Sequence, residues 1–323
     1  IKLIGAGDNG FRIISNSKRP VDSIDDIKGL KIRCPENKLL LAIWDKFGAQ
    51  TAPIALGDLT AALQTGTVDG QELGDYPLNE EFGVSAWTEA DGKAVTSDTR
   101  VLPGEGSWSC EGGRLWPARG EKLGFIAYAP YGKASECSLE KGVRFDDVDV
   151  LKDQTDLLYT DIQGGLEKME CGGVATVPFR HALCQISFRA GSSKQPEERI
   201  VLKRISIEQV SHCGSFCSVS KPQWNITGDR KEVVFLEGNK NVTSQPVSYG
   251  KSLLVLPQEL DTVMSVEVEF FNADGTSINQ TLKTVDIETA LEPGLHYVYT
   301  LSLSFDRASV QTELIEHHYD YWI

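Results

Sequence analysis

Histidine and cysteine are the side chains that first raise the question of chemistry in this chain. His181 and Cys184 stand three residues apart, a spacing to weigh as a Cys/His dyad or a metal-binding pair. Their segment alternates as a strand does, and residues three apart in a strand point to opposite faces of the sheet. The adjacent His317 and His318 face opposite ways for the same reason. We therefore interpret His181 as a core histidine and predict no catalytic residue and no metal site.

A run of acidic residues raises calcium binding as a second possibility. Its members are Asp146, Asp147, Asp149, Asp153 and Asp156. The run lacks the glycine at a sharp turn and the closing bidentate glutamate of an EF-hand loop. A solvated acidic loop is the favoured interpretation, and calcium stays open as the alternative. The sequence has no P-loop, G-x-G-x-x-G, G-x-S-x-G or H-E-x-x-H motif. We predict that the protein is not an enzyme and uses no cofactor.

The seven cysteines are odd in number and irregular in spacing: Cys34, Cys110, Cys137, Cys171, Cys184, Cys213 and Cys217. No C-x-x-C pair is present, so neither a zinc ribbon nor a thioredoxin-like site is supported. Scattered buried thiols are the favoured interpretation. A bridge between Cys213 and Cys217 is the alternative.

Charge and hydropathy exclude two classes of partner. The 323 residues carry 32 basic and 46 acidic side chains, a net charge of −14. Residues 1–73 hold nine of each, so the remainder supplies the whole negative charge. Phosphate binding needs clustered cations, so we expect no nucleic-acid partner. No run of 18 apolar residues exists, which predicts no membrane-spanning helix. Because the chain starts at Ile1 without a leader, we expect that it is cut or processed there.

Two different patterns of secondary structure divide the chain near residue 74. The first part alternates strands with a helix over residues 38–47, which Gly48 ends. Later segments alternate every second residue and are rich in β-branched and aromatic side chains, as in residues 263–270 and 297–305. The predicted fold is therefore mainly β: two tandem β-sandwiches preceded by a small α/β fragment. We place these domains at residues 74–173, 174–323 and 1–73, respectively.

Residues 26–37 (DIKGLKIRCPEN) and 61–72 (AALQTGTVDGQE) carry a specific resemblance. They resemble an internal part of the periplasmic substrate-binding proteins of TRAP transporters. The resemblance implies that Arg33, in the K-I-R-x-P motif, clamps a carboxylate of an organic acid, with Arg12 assisting in some members. A guanidinium meets a carboxylate through two parallel hydrogen bonds. Leu73 replaces the family's ligand-contacting asparagine, and the covered part is one slice of a two-lobed fold, so a surface arginine is the favoured interpretation.

A second resemblance runs through the rest of the chain in six ordered motifs. They are LNEEFGVSAW at residues 78–87, LWP with LGFIAYAP at 115–117 and 123–130, DLLY at 156–159, VPFRHALCQISF at 177–188, LLVLPQ at 253–258 and LEPGLHYVY at 291–299. In this order they resemble the fimbrillin-type pilus and adhesin subunits. The whole chain therefore looks chimeric.

The fimbrillin resemblance implies two transthyretin-like sandwiches, made as a lipid-anchored precursor that a protease matures. It implies a structural subunit of a fimbria or cell-surface adhesin at the outer membrane, secreted through the periplasm. Partners would be other pilus subunits, further copies of the chain or a host ligand, joined by strand exchange. The alternative function is a periplasmic solute-binding protein for C4-dicarboxylates or sialic acid.

The last segment of the chain is the candidate donor strand for such an exchange. An added strand satisfies an open sheet edge and buries alternate side chains at once. Its candidate residues are Val310, Thr312, Leu314, Ile315, Tyr319 and Tyr321. The alternative is that this segment is the ordinary last strand of the second sandwich.

Overall fold

The computed structural model describes most of the chain. It describes residues 12–19, 21, 24–34, 38–54, 62–63, 65–74, 81–103, 108–112, 116, 120–169, 175–192, 199–272, 274–303 and 308–315, with the backbone alone at 12–15, 38–39, 72–74, 278–281 and 308–315. The chain divides into two compact units, Ile1–Leu78 and Asn79–Ile323. Each unit is built differently.

The first unit is a small α/β structure. Its strands are β1 (Arg12–Asn16), β2 (Lys31–Cys34), β3 (Gln50–Pro53) and β4 (Gly70–Gly74), with a 3₁₀ turn at Ile24–Ile27 and helix α1 at Lys38–Lys46. The strand order is β1-β4-β2-β3. β1 is antiparallel to β4, and β2 is parallel to both of its neighbours. The α/β prediction for this segment is confirmed.

Helix α1 closes a small core against the sheet. Trp44 on the helix packs with Leu30 and Ile32, all of them buried. The helix ends as the sequence predicts, because Gly48 adopts a φ of 89°, which favours glycine in a C-terminal cap.

The second unit is made of strands. They are β5 (Phe82–Thr88), β6 (Ala94–Pro103), β7 (Trp108–Cys110), β8 (Leu123–Ala129), β9 (Glu136–Ser138), β10 (Gly142–Asp149), β11 (Leu158–Tyr159), β12 (Gln163–Leu166), β13 (Arg180–His181), β14 (Cys184–Ser192), β15 (Arg199–Cys217), β16 (Gln223–Asn241), β17 (Val247–Val255), β18 (Glu259–Phe271), β19 (Ser277–Ala290), β20 (His296–Leu303) and β21 (Ala308–Ile315).

These strands pair into sheets that face each other across two cores. One sheet has the order β13-β11-β8-β5-β6-β7, with β12 on β8. A second has the order β19-β18-β15-β10-β9, with β16 on β15, and a third has the order β17-β14-β20-β21. The prediction of a mainly β protein built from packed sheets is confirmed.

The first core is dominated by aromatic rings. Phe216 of β15 lies 4.7 Å from Tyr159 and 5.8 Å from Phe145 between ring centroids. Tyr128 and Trp87 from the facing sheet belong to the same buried cluster. Two sheets therefore pack face to face here, as in a sandwich.

The second core lies between the sheet of β14 and β20 and the first part of β15 with β16 and β18. Phe188 contacts Tyr299 and Phe235, with ring centroids 5.6 and 4.8 Å apart. Ile205 and Val266 are fully buried in the same cluster. This second packed layer supports the prediction of a second sandwich.

Strand β15 belongs to both cores. Residues 199–207 pair with β18 beside the second core, and residues 213–217 pair with β10 beside the first. β16 pairs along nearly the whole of β15. The limits 74–173 and 174–323 remain a proposal, because this strand and the β11–β13 pair join residues on both sides of position 173. No helix among the described residues is long and apolar enough to cross a membrane.

A bulge between β14 and β17 needs one particular glycine. The register shifts between Ile186 and Phe188 of β14, and the matching stretch of β17 contains Gly250 with a φ of 80°. A Cβ at this position would lie 2.5 Å from the carbonyl oxygen of Phe235. Both the backbone conformation and the close approach therefore require glycine.

We predict that Gly250→Ala destabilises the protein more than Gly275→Ala does. Both glycines have positive φ, but nothing lies within 4 Å of a Cβ at Gly275. Each change carries the left-handed penalty of about 1–2 kcal/mol. The overpacking at Gly250 adds roughly 1–3 kcal/mol. Denaturant unfolding of the two variants measures the difference, and equal midpoints would contradict the close approach.

Candidate functional site

The last described strand, β21, forms one edge of its sheet. It pairs antiparallel with β20 over eight residues, from Leu303 opposite Ala308 to His296 opposite Ile315. No described strand pairs with the other side of β21. Among the described residues, β21 is therefore an edge strand, the kind of position to which another strand can add.

The candidate donor residues hold defined positions in this strand. Val310 lies opposite Leu301, Thr312 opposite Tyr299, and Leu314 opposite Tyr297, while Ile315 pairs with His296. Three of these partners, Tyr297, Tyr299 and Leu301, belong to the second core. Tyr319 and Tyr321 lie outside the described residues. The role of donor strand stays a prediction.

Strand β20 would be costly to leave uncovered. Tyr297 is 4 % exposed and Tyr299 and Leu301 are fully buried. Burial raises the pKa of both tyrosines. The Tyr297 hydroxyl donates to the carbonyl of Ala290 at 2.8 Å and so fixes the ring. A strand at the position of β21 keeps water away from this surface and satisfies the backbone hydrogen bonds of β20.

The arginine predicted to bind carboxylates lies inside the first unit. Arg33 is 5 % exposed, and its Nε donates to the carbonyl of Ile54 at 2.7 Å. The interpretation of Arg33 as a surface arginine is therefore wrong. Arg12 is described by its backbone alone, in register with Gly74. The ligand-binding role of both arginines stays a prediction.

His181 and Cys184 do not converge. His181 lies in β13 and its Nδ1 contacts the Asp156 carboxylate at 2.6 Å. Cys184 is buried in β14, in a different sheet, where its Sγ contacts the Val255 carbonyl at 3.3 Å. Burial raises the pKa of the Cys184 thiol. The structure thus separates the two groups, but by placing them in two strands of different sheets and not on opposite faces of one strand. His317 and His318 lie outside the described residues.

The acidic run is split among separate partners. Asp146 accepts from Ser135 at 2.6 Å, and Asp153 accepts from Lys133 at 2.5 Å. Asp156 contacts His181, and Asp149 turns toward Lys152 and His212. Carboxylates held by different partners do not present a common calcium shell. The prediction of a solvated acidic loop is wrong for the first part of the run, because Asp146, Asp147 and Asp149 lie in strand β10 and the Asp149 side chain is only 14 % exposed. Calcium binding stays an open alternative.

The described cysteines are free thiols: Cys34, Cys110, Cys137, Cys184, Cys213 and Cys217. The alternative of a Cys213–Cys217 bridge is therefore wrong. Cys171 lies outside the described residues. Burial raises the pKa of Cys137 to about 12, so that thiol is inert at neutral pH.

The family comparison decides the identity of most of the chain. Residues 66–317 match the family model described as fimbrillin-like. The chain belongs to the fimbrillin-like family. A fimbrial protein from Bacteroides vulgatus has a similar fold, with a TM-score of 0.60 and 15 % identity over 73 % of this chain and 92 % of that one.

The start of this fimbrillin-like chain resembles another family. Residues 1–74 match the model for bacterial extracellular solute-binding proteins, family 7. A solute-binding protein from Verminephrobacter eiseniae is 49 % identical over 71 residues, and the 2,3-diketo-L-gulonate-binding periplasmic protein YiaO from Escherichia coli is 35 % identical over 79. The chain spans about a fifth of the length of these relatives, 21 % and 23 %. As the sequence predicts, segments of two families are joined.

The fimbrillin-like unit has a polar pocket at the β14–β17 bulge. It encloses about 320 Å³ and is lined by Ser187, Phe188, Arg189, Ser248, Tyr249, Gly250, Ser252, His296 and Val298. Ser187 Oγ lies 2.7 Å from His296 Nε2. The two strands are parallel here, and Ser187 is two residues along β14 from Gln185, the residue that pairs with His296. The lining of the pocket includes hydroxyl, imidazole and guanidinium groups.

The fimbrillin-like unit contains one cluster of possible metal ligands that the sequence did not predict. Asp149, His212 and Cys213 bring a carboxylate oxygen, a ring nitrogen and a thiol sulfur within 4.8 Å of one another. A hydrogen bond from Lys152 is the main reason that the pKa of Asp149 is lowered. Burial raises the pKa of the Cys213 thiol. The adjacent Cys/His pair at 212–213 is the sequence signal that could have found this cluster, but strand alternation argues against it.

We predict that Lys133→Met raises the pKa of Asp153. Its carboxylate has a pKa of about 2, chiefly because Lys133 donates to it and Thr155 adds a further hydrogen bond. Without Lys133, the pKa moves up toward the ordinary value of about 3.9. Carboxyl titration by NMR measures the change, and Lys141→Met, which removes the partner of Glu136 instead, is the matched control.

The same pair has a pH-dependent effect on stability. Because the folded pKa of Asp153 is depressed, its contribution is present above pH 4 and is lost as the pH falls toward 2. Both side chains are about half exposed, so the contribution is about 0–1 kcal/mol. The difference in free energy of unfolding between the parent protein and Lys133→Met should become smaller as the pH falls from 5 to 2. A difference that does not change with pH would contradict this pairing.

Proposed function

We propose that the chain is a structural subunit of a fimbria or cell-surface adhesin that assembles by exchanging a strand with another subunit. Membership of the fimbrillin-like family supports this function. The observation that carries the mechanism is strand β21: eight residues, paired on one side, covering a strand whose inner residues are buried. A catalytic role has no comparable support.

The site of action we propose is the cell surface. The match to a fimbrial protein from Bacteroides vulgatus and the acidic charge of the chain support it. A lipid-anchored precursor, proteolytic maturation, outer-membrane placement and a host ligand are further parts of the proposal.

Strand exchange at β21 requires a peptide whose apolar residues alternate with polar ones, because every second register position lies opposite a buried residue of β20. Every second residue of an incoming strand takes a register position opposite Tyr297, Tyr299 or Leu301, while its backbone pairs with β20. The same sequence can therefore cover its own subunit or a neighbouring copy. Which of the two occurs depends on concentration and on how readily β21 leaves its own sheet.

We predict that Val310→Asp weakens strand exchange far more than Gln311→Asp. Val310 lies opposite buried Leu301, whereas Gln311 lies opposite the half-buried Thr300. A carboxylate at the register position opposite a buried leucine costs several kcal/mol, which corresponds to more than about a hundredfold in affinity. Biotinylated peptides of residues 305–317 are incubated with the full chain, and captured protein is measured.

The outcomes of that experiment separate the hypotheses. Capture by the parent and Gln311→Asp peptides, but not by Val310→Asp, supports register-specific exchange. Equal capture by all three peptides, or no capture by any of them while the chain is folded, contradicts it. Light scattering over a concentration series then shows whether full-length chains associate.

The second candidate function is organic-acid binding by the first unit. The identity of 49 % to a solute-binding protein favours it, although that match covers 21 % of the relative. Arg33 is the residue expected to hold the carboxylate, and its Nε is committed to Ile54.

We expect no saturable heat when succinate, D-galacturonate or sialic acid is titrated into the full chain by calorimetry. A binding cleft in a two-lobed protein needs groups from both lobes, and the matched segment supplies a fraction of one. Saturable heat that Arg33→Lys abolishes would establish the second function. A one-site ligand at a hundredfold excess over its Kd would also stabilise the protein by about 2.7 kcal/mol.

A further inference from the structure

Asp149, His212 and Cys213 meet where β10 ends beside β15. Asp149 Oδ1 lies 2.9 Å from His212 Nδ1, and Cys213 Sγ lies 3.1 Å from the same nitrogen. The His212 side chain is 5 % exposed and the Asp149 side chain 14 % exposed. Cys213 is half-buried, so the cluster lies near the surface with its histidine inside.

A β-bulge explains how neighbouring residues share one site. Asp149 pairs with Cys213 across β10 and β15, which places these two side by side. On the other side of β15, the register jumps between Ser211, opposite Arg230, and Cys213, opposite Thr227. Such a bulge breaks the alternation of side chains. His212 and Cys213 can therefore approach the same carboxylate, which an ideal strand would prevent.

The geometry does not fit a nucleophilic triad. In such a triad the nucleophile contacts one ring nitrogen, and the carboxylate holds the opposite nitrogen. Here the sulfur and the carboxylate oxygen both approach Nδ1 most closely; Nε2 is 4.0 Å from the sulfur. Three different donor atoms instead converge on one small volume, which is the arrangement that a shared cation requires.

We propose that Asp149, His212 and Cys213 bind a divalent transition-metal ion of the zinc type. Thiolate, imidazole and carboxylate are the three ligand classes of protein zinc sites, with bond lengths of about 2.0–2.3 Å. A thiolate is a poor ligand for calcium or magnesium, which prefer oxygen. Binding deprotonates Cys213 and leaves His212 neutral, with its proton on Nε2. About one proton per metal is therefore released at neutral pH.

Lys152 is the group that competes with the metal. Its Nζ lies 2.9 Å from Asp149 Oδ2, and its side chain is 83 % exposed. Because the ammonium end of this ion pair lies in solvent, water screens the attraction and the pair contributes little to stability. The ammonium can therefore swing into solvent when a cation arrives, and the other carboxylate oxygen remains for the metal. The bound ion would link β10 to β15 beside the first core.

The test is a titration of the purified full chain with cobalt(II) under a non-thiol reductant. Cobalt bound to a thiolate gives an intense near-ultraviolet charge-transfer band, which oxygen ligands do not produce. We expect a saturable band with one equivalent of metal, which zinc displaces and calcium does not. Cys213→Ser should abolish the band. His212→Gln and Asp149→Asn should weaken binding at least tenfold, since even the loss of groups behind the ligands costs about 10–100-fold.

Two further variants serve as controls. Cys217→Ser removes another half-buried thiol four residues along β15 and should leave the band unchanged. Lys152→Met keeps the three ligands, removes the competitor and should tighten binding. No band with folded protein, or a band that survives Cys213→Ser or disappears with Cys217→Ser, would overturn the proposal. An unchanged affinity in Lys152→Met would overturn the part assigned to Asp149.

Discussion

The continuous hydrogen bonding of β15 is the constraint on which the fimbrillin-like unit depends. Its first part lies beside the second core and its last part beside the first core. The strand delivers Ile205 to one core and Phe216 to the other. Because a one-residue slip reverses every side chain of a strand, its register must satisfy both cores at once. The bulges along β15 and β16 are where that register is adjusted.

The bulges also position the polar groups that distinguish this chain from a plain sandwich. One bulge in β15 brings His212 and Cys213 to the same carboxylate. Another, between β14 and β17, opens the pocket that contains Ser187 and His296. In both places an irregular backbone places side chains that strict alternation would separate. The edge strand β21 differs, since its pairing with β20 is regular over its whole length.

Local patterns in the sequence predict much of this fold. Alternation over residues 263–270 and 297–305 corresponds to β18 and β20. Helix α1 follows from its apolar spacing and from Gly48. Motifs of two families also indicate that different segments are joined. These features depend on residues close together in the chain, so a single sequence reveals them.

The candidate sites depend on pairings that the sequence does not display. Asp149 and Cys213 become neighbours only through the register of β10 and β15. The burial of Arg33 depends on how β2 packs between β3 and β4. His181 and Cys184 are separated because the chain leaves one sheet and enters another between them, which strand alternation does not predict. Alternation also hides the His212–Cys213 pair. A periodic rule fails where a bulge interrupts the period.

The parallel pairing of β14 with β20 affects how fast the unit folds. Gln185 pairs with His296, so the centre of this sheet joins segments more than a hundred residues apart. Contacts of such long range make folding slow, because the intervening loop must close before they form. During synthesis, β14 emerges long before β20, so the face of Phe188 that packs on Tyr299 stays open until the chain has reached residue 299. The order in which the chain emerges therefore leaves one edge of β14 unpaired until nearly all of the unit is available, which creates a need for protection from aggregation during that interval.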